Sequence, residues 1–305
     1  MTRILARDLE FPEGPIAMPD GSLLLVEIKR QTLTQVHPDG RAEVVAKLGG
    51  GPNGAAIGPD GHCYVCNNGG FQWHSIDGMT LPGGPPEDYA GGRIERVNLA
   101  TGAVERLYDK IDGRPLRGPN DIVFDDHGGF WFSDLGKSRP ADLDRGAIYY
   151  AKADGSSIRR VIRGVLTPNG IGLSPDGKTL YAAETETARV WAWDIKAPGE
   201  IAPAKGHSLS GGRMIYASPT FVRFDSLAVE ANGNVCVATI HDGGITVIAP
   251  TGGRVEFVPF EQDWMVTNIC FGGPDMRKAY VTCSGKGLLL EADWARPGLK
   301  LLQQR

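Results

Sequence analysis

Short apolar runs alternate along the chain with clusters of Pro, Asn, Asp and Gly. The clearest example is Thr167–Tyr181, in which two runs of apolar and small residues flank a Pro-Asp-Gly turn. Apolar runs on either side of such a turn predict a β-hairpin. No stretch keeps the apolar period of about 3.6 residues that a helix requires, so the pattern predicts an all-β fold.

The hairpin pattern occurs six times, and the copies align on one polar residue in each. We call these residues the anchors: Glu13, Asn53, Asn120, Asn169, Asp225 and Asn268. A turn residue stands seven positions after each anchor: Asp20, Asp60, His127, Asp176, Asn232 and Asp275. The anchors lie 40, 67, 49, 56 and 43 residues apart. Repeats of about 40–50 residues that each hold several short strands are typical of β-propellers. The sequence therefore predicts one domain over residues 1–305, a six-bladed β-propeller whose anchors converge on a central channel.

Three segments depart from the repeat and are expected to wall a pocket. The insertion Asn68–Gly92, which carries Trp73, separates the second and third strands of blade two. The other two are the loop Asp134–Arg145 in blade three and the linker Ala197–Thr220 after blade four. In a propeller such connections open on the face where the inner strands begin, which we call the anchor face. We expect the insertion to cover this face as a lid or pocket wall, with a disordered surface loop as the alternative.

Closure of the ring requires an outer strand for blade six. Two segments have the apolar residues to supply it: Thr2–Leu9 at one end of the chain and Leu299–Leu302 at the other. The pattern alone does not choose between them.

The composition narrows the functional class. The net charge is −4, from 32 basic and 36 acidic residues, and neither sign is concentrated in a run, which argues against nucleic acid as a partner. No apolar run approaches the roughly 20 residues of a membrane helix, and charges interrupt the apolar residues of Met1–Glu10, so no membrane partner and a cytoplasmic location are expected. The five cysteines fall in predicted strands, and Cys63-x-x-Cys66 lacks the second pair of a zinc site, so we expect buried thiols.

The charges of the anchors indicate a metal. Glu13 and Asp225 would face one narrow channel, and no anchor is Lys or Arg. Burying like charges together costs free energy. A divalent cation bound between the two carboxylates would remove this cost. Carboxylate and amide oxygens are ligands of Ca²⁺, and no anchor offers the His or Cys of a zinc-type site. The anchors therefore predict a central metal-binding channel with one divalent cation, Ca²⁺ being favoured over Zn²⁺, Mn²⁺ and Mg²⁺; the alternative is a water-filled channel lined by polar residues.

The same residues suggest an ester hydrolase. A bound cation stabilises the negative charge that develops on an ester carbonyl during attack by water. Asp225 is the candidate base for that water. The candidate substrate contacts are Asn53, Asn120, Asn268, His241 and Trp73. The chain has no Gly-x-Ser-x-Gly motif, which favours metal-assisted attack by water over a serine nucleophile.

Several motifs, taken in order, resemble the senescence-marker-protein, gluconolactonase and luciferin-regenerating-enzyme family. They are Phe11-Pro-Glu-Gly-Pro15, Gly118-Pro-Asn-Asp-Ile-Val-Phe-Asp125, Trp131-Phe-Ser-Asp134, Thr167-Pro-Asn-Gly-Ile-Gly-Leu-Ser-Pro-Asp-Gly177 and Asp225-Ser-Leu-Ala228. The resemblance spans essentially all six blades and implies a propeller with a central Ca²⁺ or other divalent ion. It carries the family's metal-ligand role onto Glu13, Asn169 and Asp225, and onto Asn120 as a ligand or substrate contact.

The resemblance also implies an activity. The commonest activity of the family is hydrolysis of sugar lactones, and the related squid-type diisopropyl fluorophosphatase hydrolyses organophosphates at the same kind of site. Some members have a basic residue two places before the Asn of blade three, where this chain has Gly118. We expect a metal-dependent lactonase that opens a sugar-type or related small lactone by metal-assisted attack of water. The alternatives are a phosphotriesterase-like hydrolase and a non-catalytic ligand-binding propeller with a structural metal.

Overall fold

A computed structural model of the chain describes residues 1–202 and 208–305. Residues 203–207, which belong to the predicted linker Ala197–Thr220 and include His207, lie outside the described residues. In the described part the regular structure is β-strand except for one turn of 3-10 helix at Leu302–Gln304. None of its helices is long and apolar enough to cross a membrane.

The strands form six antiparallel blades, as the repeat predicted. The first strand is β1 (Thr2–Ala6), and blade one comprises β2 (Pro12–Ala17), β3 (Leu23–Glu27), β4 (Thr32–Val36) and β5 (Ala42–Lys47). Blade two comprises β6 (Pro52–Ile57), β7 (Cys63–Asn67), an inserted hairpin of β8 (Trp73–Ile76) and β9 (Met79–Pro82), then β10 (Arg93–Val97) and β11 (Val104–Tyr108). A short pair, β12 (Lys110–Ile111) and β13 (Arg114–Pro115), leads to blade three.

The second half of the chain repeats the arrangement. Blade three comprises β14 (Pro119–Phe124), β15 (Gly129–Asp134), β16 (Ala147–Lys152) and β17 (Ile158–Ile162). Blade four comprises β18 (Pro168–Leu173), β19 (Thr179–Glu184), β20 (Arg189–Ala197), the short β21 (Glu200–Ile201) and β22 (Arg213–Ala217). Blade five comprises β23 (Arg223–Val229), β24 (Val235–Ile240), β25 (Gly244–Ile248) and β26 (Arg254–Pro259). Blade six comprises β27 (Val266–Gly272), β28 (Lys278–Cys283) and β29 (Leu288–Asp293). The inner strands β2, β6, β14, β18, β23 and β27 contact one another in that order, and β27 contacts β2, so the ring is closed.

The turns between first and second strands form where the sequence placed them. The side chain of Asp20 accepts a hydrogen bond from the backbone N–H of Ser22 at 2.9 Å, and Asp176 accepts one from Lys178 at 3.1 Å. Such side-chain contacts stabilise a tight turn. The next residue in the blade-four turn, Gly177, has a φ of 67°. In blade six Met276 takes the place of this glycine and adopts a φ of 59°, which a non-glycine residue seldom does.

Apolar side chains fill the spaces between blades. Cys63 belongs to a cluster that joins blades one and two, whereas Cys66 belongs to one that joins blades two and three, so the two thiols face opposite sides of their sheet. All five cysteines are free and buried, which confirms the prediction of buried thiols. Burial raises the pKa of the Cys63 thiol to about 12, so this group stays protonated and unreactive.

The N-terminal strand completes blade six. Strand β1 pairs antiparallel with β29, with Thr2 opposite Ala292 and Ile4 opposite Leu290. Leu299–Leu302, the other candidate, does not form this strand: Leu299 donates a backbone hydrogen bond to Val229, and the chain end crosses the channel mouth opposite the anchor face.

The prediction of a linker after blade four was wrong in one part. The segment after Ala197 was expected to be a linker, but Arg213–Ala217 pairs with β20 and is the outer strand of the blade. Its short apolar run, Met214–Ala217, lies between Gly-rich and polar segments, which obscured a strand.

Candidate active site

Every anchor lies at an irregularity of its inner strand. In each blade the pairing between first and second strands shifts at or directly beside the anchor, as between Glu13 and Ile16 in blade one and between Pro168 and Ile171 in blade four. The inner strand carries one extra residue at this point, which is the definition of a β-bulge. Bulges redirect side chains, and here a bulge occurs at the anchor in all six copies, although in blade six it lies on the N-terminal side of the anchor. The repeated motif thus specifies the bulge as well as the strand.

Glu13 is held by hydrogen bonds in the wall of the channel. Its side chain is 2% exposed, and its Oε2 accepts the backbone N–H of Gly14 at 2.9 Å and the side-chain amide of Asn268 at 2.8 Å. Burial raises the pKa of Glu13, and these donors together with Thr267 oppose the rise. Asn268 in turn accepts the backbone N–H of Ile269 at 2.7 Å. The predicted substrate contact Asn268 therefore also orients the carboxylate of Glu13.

Asp225 is half-buried beside Asn169 and is electrostatically coupled to other acids. Burial raises the pKa of Asp225 well above its usual range, the negative charges of Glu13 and Asp121 raise it further, and Asn169 opposes the shift. The amide of Asn169 donates to Thr185 Oγ1 at 3.0 Å, and its Oδ1 accepts from Ser226 at 3.4 Å. Three predicted metal ligands are thus linked: Asp225 is affected by the charge of Glu13 and by a hydrogen bond from Asn169.

A third carboxylate belongs to this group, and the alignment of the repeats does not select it. Asp121 is buried, and its two oxygens accept the backbone N–H groups of Ile122 at 2.9 Å and Ile171 at 3.2 Å. Burial raises the pKa of Asp121 to about 7, with a further contribution from the charge of Glu13 and opposition from the two backbone donors. A signal was present in the sequence, since the residue after the anchor is Gly in three other blades and Asp only in blade three.

The described residues offer these carboxylates no cationic partner. Glu13, Asp121 and Asp225 form no ion pair within residues 1–202 and 208–305. The Oδ1 atom of Asn120 is buried without a hydrogen-bond partner there. No three His, Cys, Asp or Glu side chains of these residues cluster closely enough to hold a metal by themselves. A donor set that mixes carboxylate with amide oxygens, including the unpartnered oxygen of Asn120, fits a hard divalent cation.

The remaining predicted contact of the inner ring is Asn53, which is buried at the equivalent position of blade two. Below the anchors a cavity of about 370 Å³ extends along the channel, with Asp121 and Asn268 at its upper end and the chain end Leu299–Arg305 at its lower end. Its walls between these ends are mostly apolar, for example Leu173 and Phe271. The anchor end thus carries buried polar groups, whereas turn residues such as Asp126, Asp176 and Lys178 line the opposite end.

The insertion covers part of the anchor face as an ordered hairpin. The backbone N–H of Thr80 donates to the carbonyl of Gly285 in blade six at 2.8 Å. Trp73 packs against Phe11 of blade one, with ring centroids 5.1 Å apart, and against Phe71 at 5.9 Å. The apolar cluster under the hairpin also includes Ile28, Met79, Ile240 and Met265. A segment that leaves blade two thus contacts blades one, six and five, and we call it the roof.

A buried lysine fastens the roof to blade three. Lys137 is 2% exposed, and its Nζ donates to Asn68 Oδ1 at 3.1 Å and to the carbonyl of Gly70 at 2.6 Å. The Nζ also lies 4.1 Å from the ring centroid of Phe71 and 5.3 Å from that of Tyr89. Burial lowers the pKa of Lys137 to about 7, although the charges of nearby acids oppose the shift. The two long loops of blades two and three therefore form one connected wall.

His241 lies at the end of the second strand of blade five, on the anchor face. Its ring stacks on Trp264, with centroids 5.4 Å apart and planes 4° from parallel, and contacts Phe221 at 5.1 Å. Burial and the charge of Arg223 lower the pKa of His241. The structure therefore locates the predicted contacts Trp73 and His241 on the same face as the anchors but in separate aromatic groups.

One known family matches most of the chain. A family model described as the SMP-30/Gluconolactonase/LRE-like region matches residues 11–285. A gluconolactonase of Zymomonas mobilis is 23% identical over 293 residues, covering 88% of this chain and 75% of that protein. The diisopropyl-fluorophosphatase of Loligo vulgaris is 31% identical over 229 residues, covering 67% of this chain and 68% of that protein.

Among solved structures, a regucalcin of Agrobacterium tumefaciens, described as a calcium-binding protein, superposes with a TM-score of 0.74. It is 20% identical in sequence, and the match covers 99% of this chain and 98% of the other. This similarity concerns the fold.

Proposed function

Because the chain belongs to the SMP-30/gluconolactonase/LRE-like family, we propose that it is a metal-dependent hydrolase that opens a small lactone at the anchor face. The observation that carries the proposal is the group of acids Glu13, Asp121 and Asp225, which have no cationic partner among the described residues. The charge of Glu13 raises the pKa of Asp121, and the charges of Glu13 and Asp121 both raise the pKa of Asp225. The similarity to a gluconolactonase supports lactones as the substrate class.

The metal would be held by Glu13, Asn120, Asn169 and Asp225. When bound, the cation supplies a Lewis acid that polarises the ester carbonyl. The unpartnered Oδ1 of Asn120 supports this ligand set, because a buried acceptor without a donor is costly unless something fills its place. Oxygen ligands alone favour Ca²⁺ over Zn²⁺, and a protein described as calcium-binding has the same fold.

The chain's own residues would do the rest of the chemistry. Asp225 would accept a proton from the attacking water, a role that suits a half-buried carboxylate whose pKa is raised well above its usual range. Asn268 would keep Glu13 in one orientation through the amide contact of 2.8 Å. Substrate would be contacted by Asn53 and Asn120 from the ring and by Trp73 and His241 from the rim.

The test is a panel of lactones assayed by proton release, with the protein first treated with chelator and then reloaded with Ca²⁺. Hydrolysis that disappears with chelator and returns with Ca²⁺ is expected, and Asp225→Asn should abolish it. If the protein binds Ca²⁺ but hydrolyses no lactone and no organophosphate, it is a non-catalytic propeller with a structural metal.

A second candidate is hydrolysis of organophosphates. The observation in its favour is the identity of 31% to a diisopropyl-fluorophosphatase. Fluoride release from diisopropyl fluorophosphate, measured beside the lactone panel, ranks the two activities by kcat/KM.

The free cysteines fit a reducing compartment, so we place the enzyme in the cytoplasm within this proposal.

A further inference from the structure

Two aromatic rings remain exposed on the surface of the described residues. Phe221 is 79% exposed and Trp264 is 37% exposed, whereas every other Phe, Trp and Tyr there is buried or half-buried. Both rings contact the same residue, His241, at centroid distances of 5.1 and 5.4 Å. We call these three residues the aromatic platform.

The platform borders the candidate active site. Phe221 lies four residues before the anchor Asp225, and Trp264 lies four residues before the anchor Asn268, so both are on the loops that enter the inner strands. The backbone N–H of His241 donates to the carbonyl of Trp264 at 3.0 Å, which joins blade five to blade six. The platform therefore spans two adjacent blades at the rim of the channel.

The conformation of His241 adds to this picture. Its φ is 81°, in the left-handed region that a residue with a side chain seldom occupies. Such strain persists where the surroundings determine the conformation, and it occurs disproportionately at binding sites. Here it accompanies the parallel stacking of the imidazole on the indole of Trp264.

The platform continues an apolar wall. Ile240 and Met265, which directly adjoin His241 and Trp264 in the chain, are buried in the cluster under the roof with Phe11. The rim from the blade-two hairpin to blade five is thus apolar and largely aromatic. The charged groups that act on His241 are Arg223 and Asp242, and Asp263 directly precedes Trp264 in the chain. The Nη2 of Arg223 lies 3.3 Å from Glu186, and its Nε is buried without a partner among the described residues.

These surroundings favour a substrate with a flat apolar ring. An aromatic side chain left in water forgoes the free energy of burial, so exposed apolar groups beside a pocket often mark the contact surface of a ligand. Aromatic faces bind other rings by offset or edge-to-face stacking. A polyhydroxy lactone would instead need several hydrogen-bonding side chains to replace its water, and the platform offers ring faces.

We propose that Phe221, His241 and Trp264 form a subsite for an aromatic ring fused to the lactone, so that the substrate class is aryl lactones. This inference rests on the proposed lactonase function. The roof and the platform then bound the site on two sides, and the ester group of the substrate would reach the anchors between them.

The experiment compares three lactones: dihydrocoumarin, which has a fused aromatic ring, δ-valerolactone, which has none, and glucono-δ-lactone, a polyol. Phe221→Ala and Trp264→Ala are each expected to raise the KM for dihydrocoumarin about threefold to tenfold. The KM for δ-valerolactone should change less than about twofold, because that substrate has no ring to stack. Met214→Ala, which removes an exposed apolar side chain (49% exposed) from the outer edge of blade four, is the control and should change neither.

Binding is measured separately with 3,4-dihydroquinolin-2-one, the lactam analogue of dihydrocoumarin, by calorimetry. If wild type binds the lactam and Phe221→Ala binds it more weakly while no lactone is hydrolysed, the subsite is supported and the proposed function fails. If lactones are hydrolysed but the two variants change the KM for dihydrocoumarin and δ-valerolactone equally or leave both unchanged, the subsite is refuted and the function stands. Light scattering provides a further check: a wild-type dimer that Phe221→Ala converts to a monomer would reassign the platform to self-association.

Discussion

At the scale of single residues, the site depends on the residue directly after each anchor. A Cβ atom at Gly54 would lie 2.4 Å from the carbonyl oxygen of Asn120 and 2.8 Å from Oδ1 of Asp121. At Gly170 a Cβ would lie 2.5 Å from the backbone nitrogen of Leu227. These distances are too short for any side chain, so glycine is required for the inner strands to approach one another. The glycines thereby make room for the one carboxylate, Asp121, that stands at the same position.

The repeat pattern identifies the anchors but not Asp121, and the reason is physical. Aligning the repeats selects positions that share polar character, and it predicts that these positions converge on the axis of the ring. Asp121 differs from the equivalent Gly14, Gly54 and Gly170, and its backbone partner Ile171 belongs to the neighbouring blade. A contact between blades depends on the ring being assembled, which a single copy of the repeat does not encode.

The first prediction separates the two anchor carboxylates. Glu13→Gln and Asp225→Asn each remove one negative charge from the proposed metal site, so both should weaken Ca²⁺ binding and abolish most turnover. Asp225 has the additional role of base, so Asp225→Asn should remain inactive at saturating Ca²⁺, whereas Glu13→Gln should recover in part. The measurement is turnover as a function of Ca²⁺ concentration.

Asn169→Ala removes a neutral oxygen ligand and no charge, so it is the matched control for charge. It should weaken Ca²⁺ binding less than the two carboxylate variants do. Equal and modest losses in all three variants would mean that the anchors line a water-filled channel and hold no cation.

At the scale of elements, both short hairpins outside the blades contain a turn signal that the sequence carries. The pair Asp77-Gly78 has φ values of 51° and 77°, and Asp112-Gly113 has 50° and 73°. Positive φ at both central residues defines the type I′ turn, and Asp-Gly is among its strongest signatures. The hairpin inside Asn68–Gly92 was thus predictable locally. Its docking on Gly285 was not, because that contact joins segments about 200 residues apart.

The second prediction tests the roof. Trp73→Ala should raise the KM for lactones about fivefold, corresponding to loss of an aromatic contact of ~1 kcal/mol, with little change in kcat. Ile76→Ala is the matched control, since this exposed residue lies on the opposite face of the same short strand. If both variants have wild-type kinetics with several lactones, the insertion is a surface loop without a role in binding.

The third prediction concerns Lys137. Burial lowers the pKa of this amine from 10.5 to about 7 in the folded protein. Between these values the unfolded chain binds a proton that the folded chain does not, so this residue makes the protein more stable as pH rises. The slope should be roughly 1 kcal/mol per pH unit from about pH 7 to 10. The negative charges of Asp134 and Asp144 act against burial and raise the pKa of Lys137. Tyr89, whose own pKa is raised to about 12, faces the amine from the roof.

Lys137→Met should remove this slope, whereas the exposed Lys29→Met should retain it. The measurement is urea unfolding of the three proteins at several pH values, and identical slopes in all of them would contradict the account of the buried amine.

At the scale of the whole molecule, ring closure distinguishes the two chain ends. Both ends carry apolar residues, and the repeat predicts a missing outer strand without saying which end supplies it. The choice depends on pairing over nearly the entire chain, Thr2 with Ala292, and no local pattern reports such a contact. The six blades and their order were predictable because each blade is encoded locally.

The fourth prediction tests that closure. Deletion of residues 2–6 leaves the outer edge of β29 unpaired and exposes apolar surface of blade six, so the melting temperature should fall by roughly 10 °C. Deletion of residues 301–305 removes the same number of residues from the other end but breaks no blade, so it should cost only a few degrees. Comparable losses for the two deletions would show that the tail contributes as much to closure as β1 does.

The last prediction joins the metal to the stability of the ring. Without a cation, Glu13 and Asp121 are buried and Asp225 is half-buried, and the charge of Glu13 raises the pKa of both aspartates. A ligand that binds only the folded state adds ~2.7 kcal/mol at 100 times its Kd, so Ca²⁺ should raise the melting temperature of the chelated protein by several degrees. Asp225→Asn removes one of the like charges, so the chelated variant should melt at a higher temperature than chelated wild type. The increase in melting temperature on adding Ca²⁺ should be smaller for this variant, because one metal ligand is lost. Melting curves at pH 8 with and without Ca²⁺ measure both effects. If the wild-type curve does not move with Ca²⁺ and elemental analysis finds no other bound metal, the metal assignment is wrong, and the carboxylates are tolerated by protonation alone.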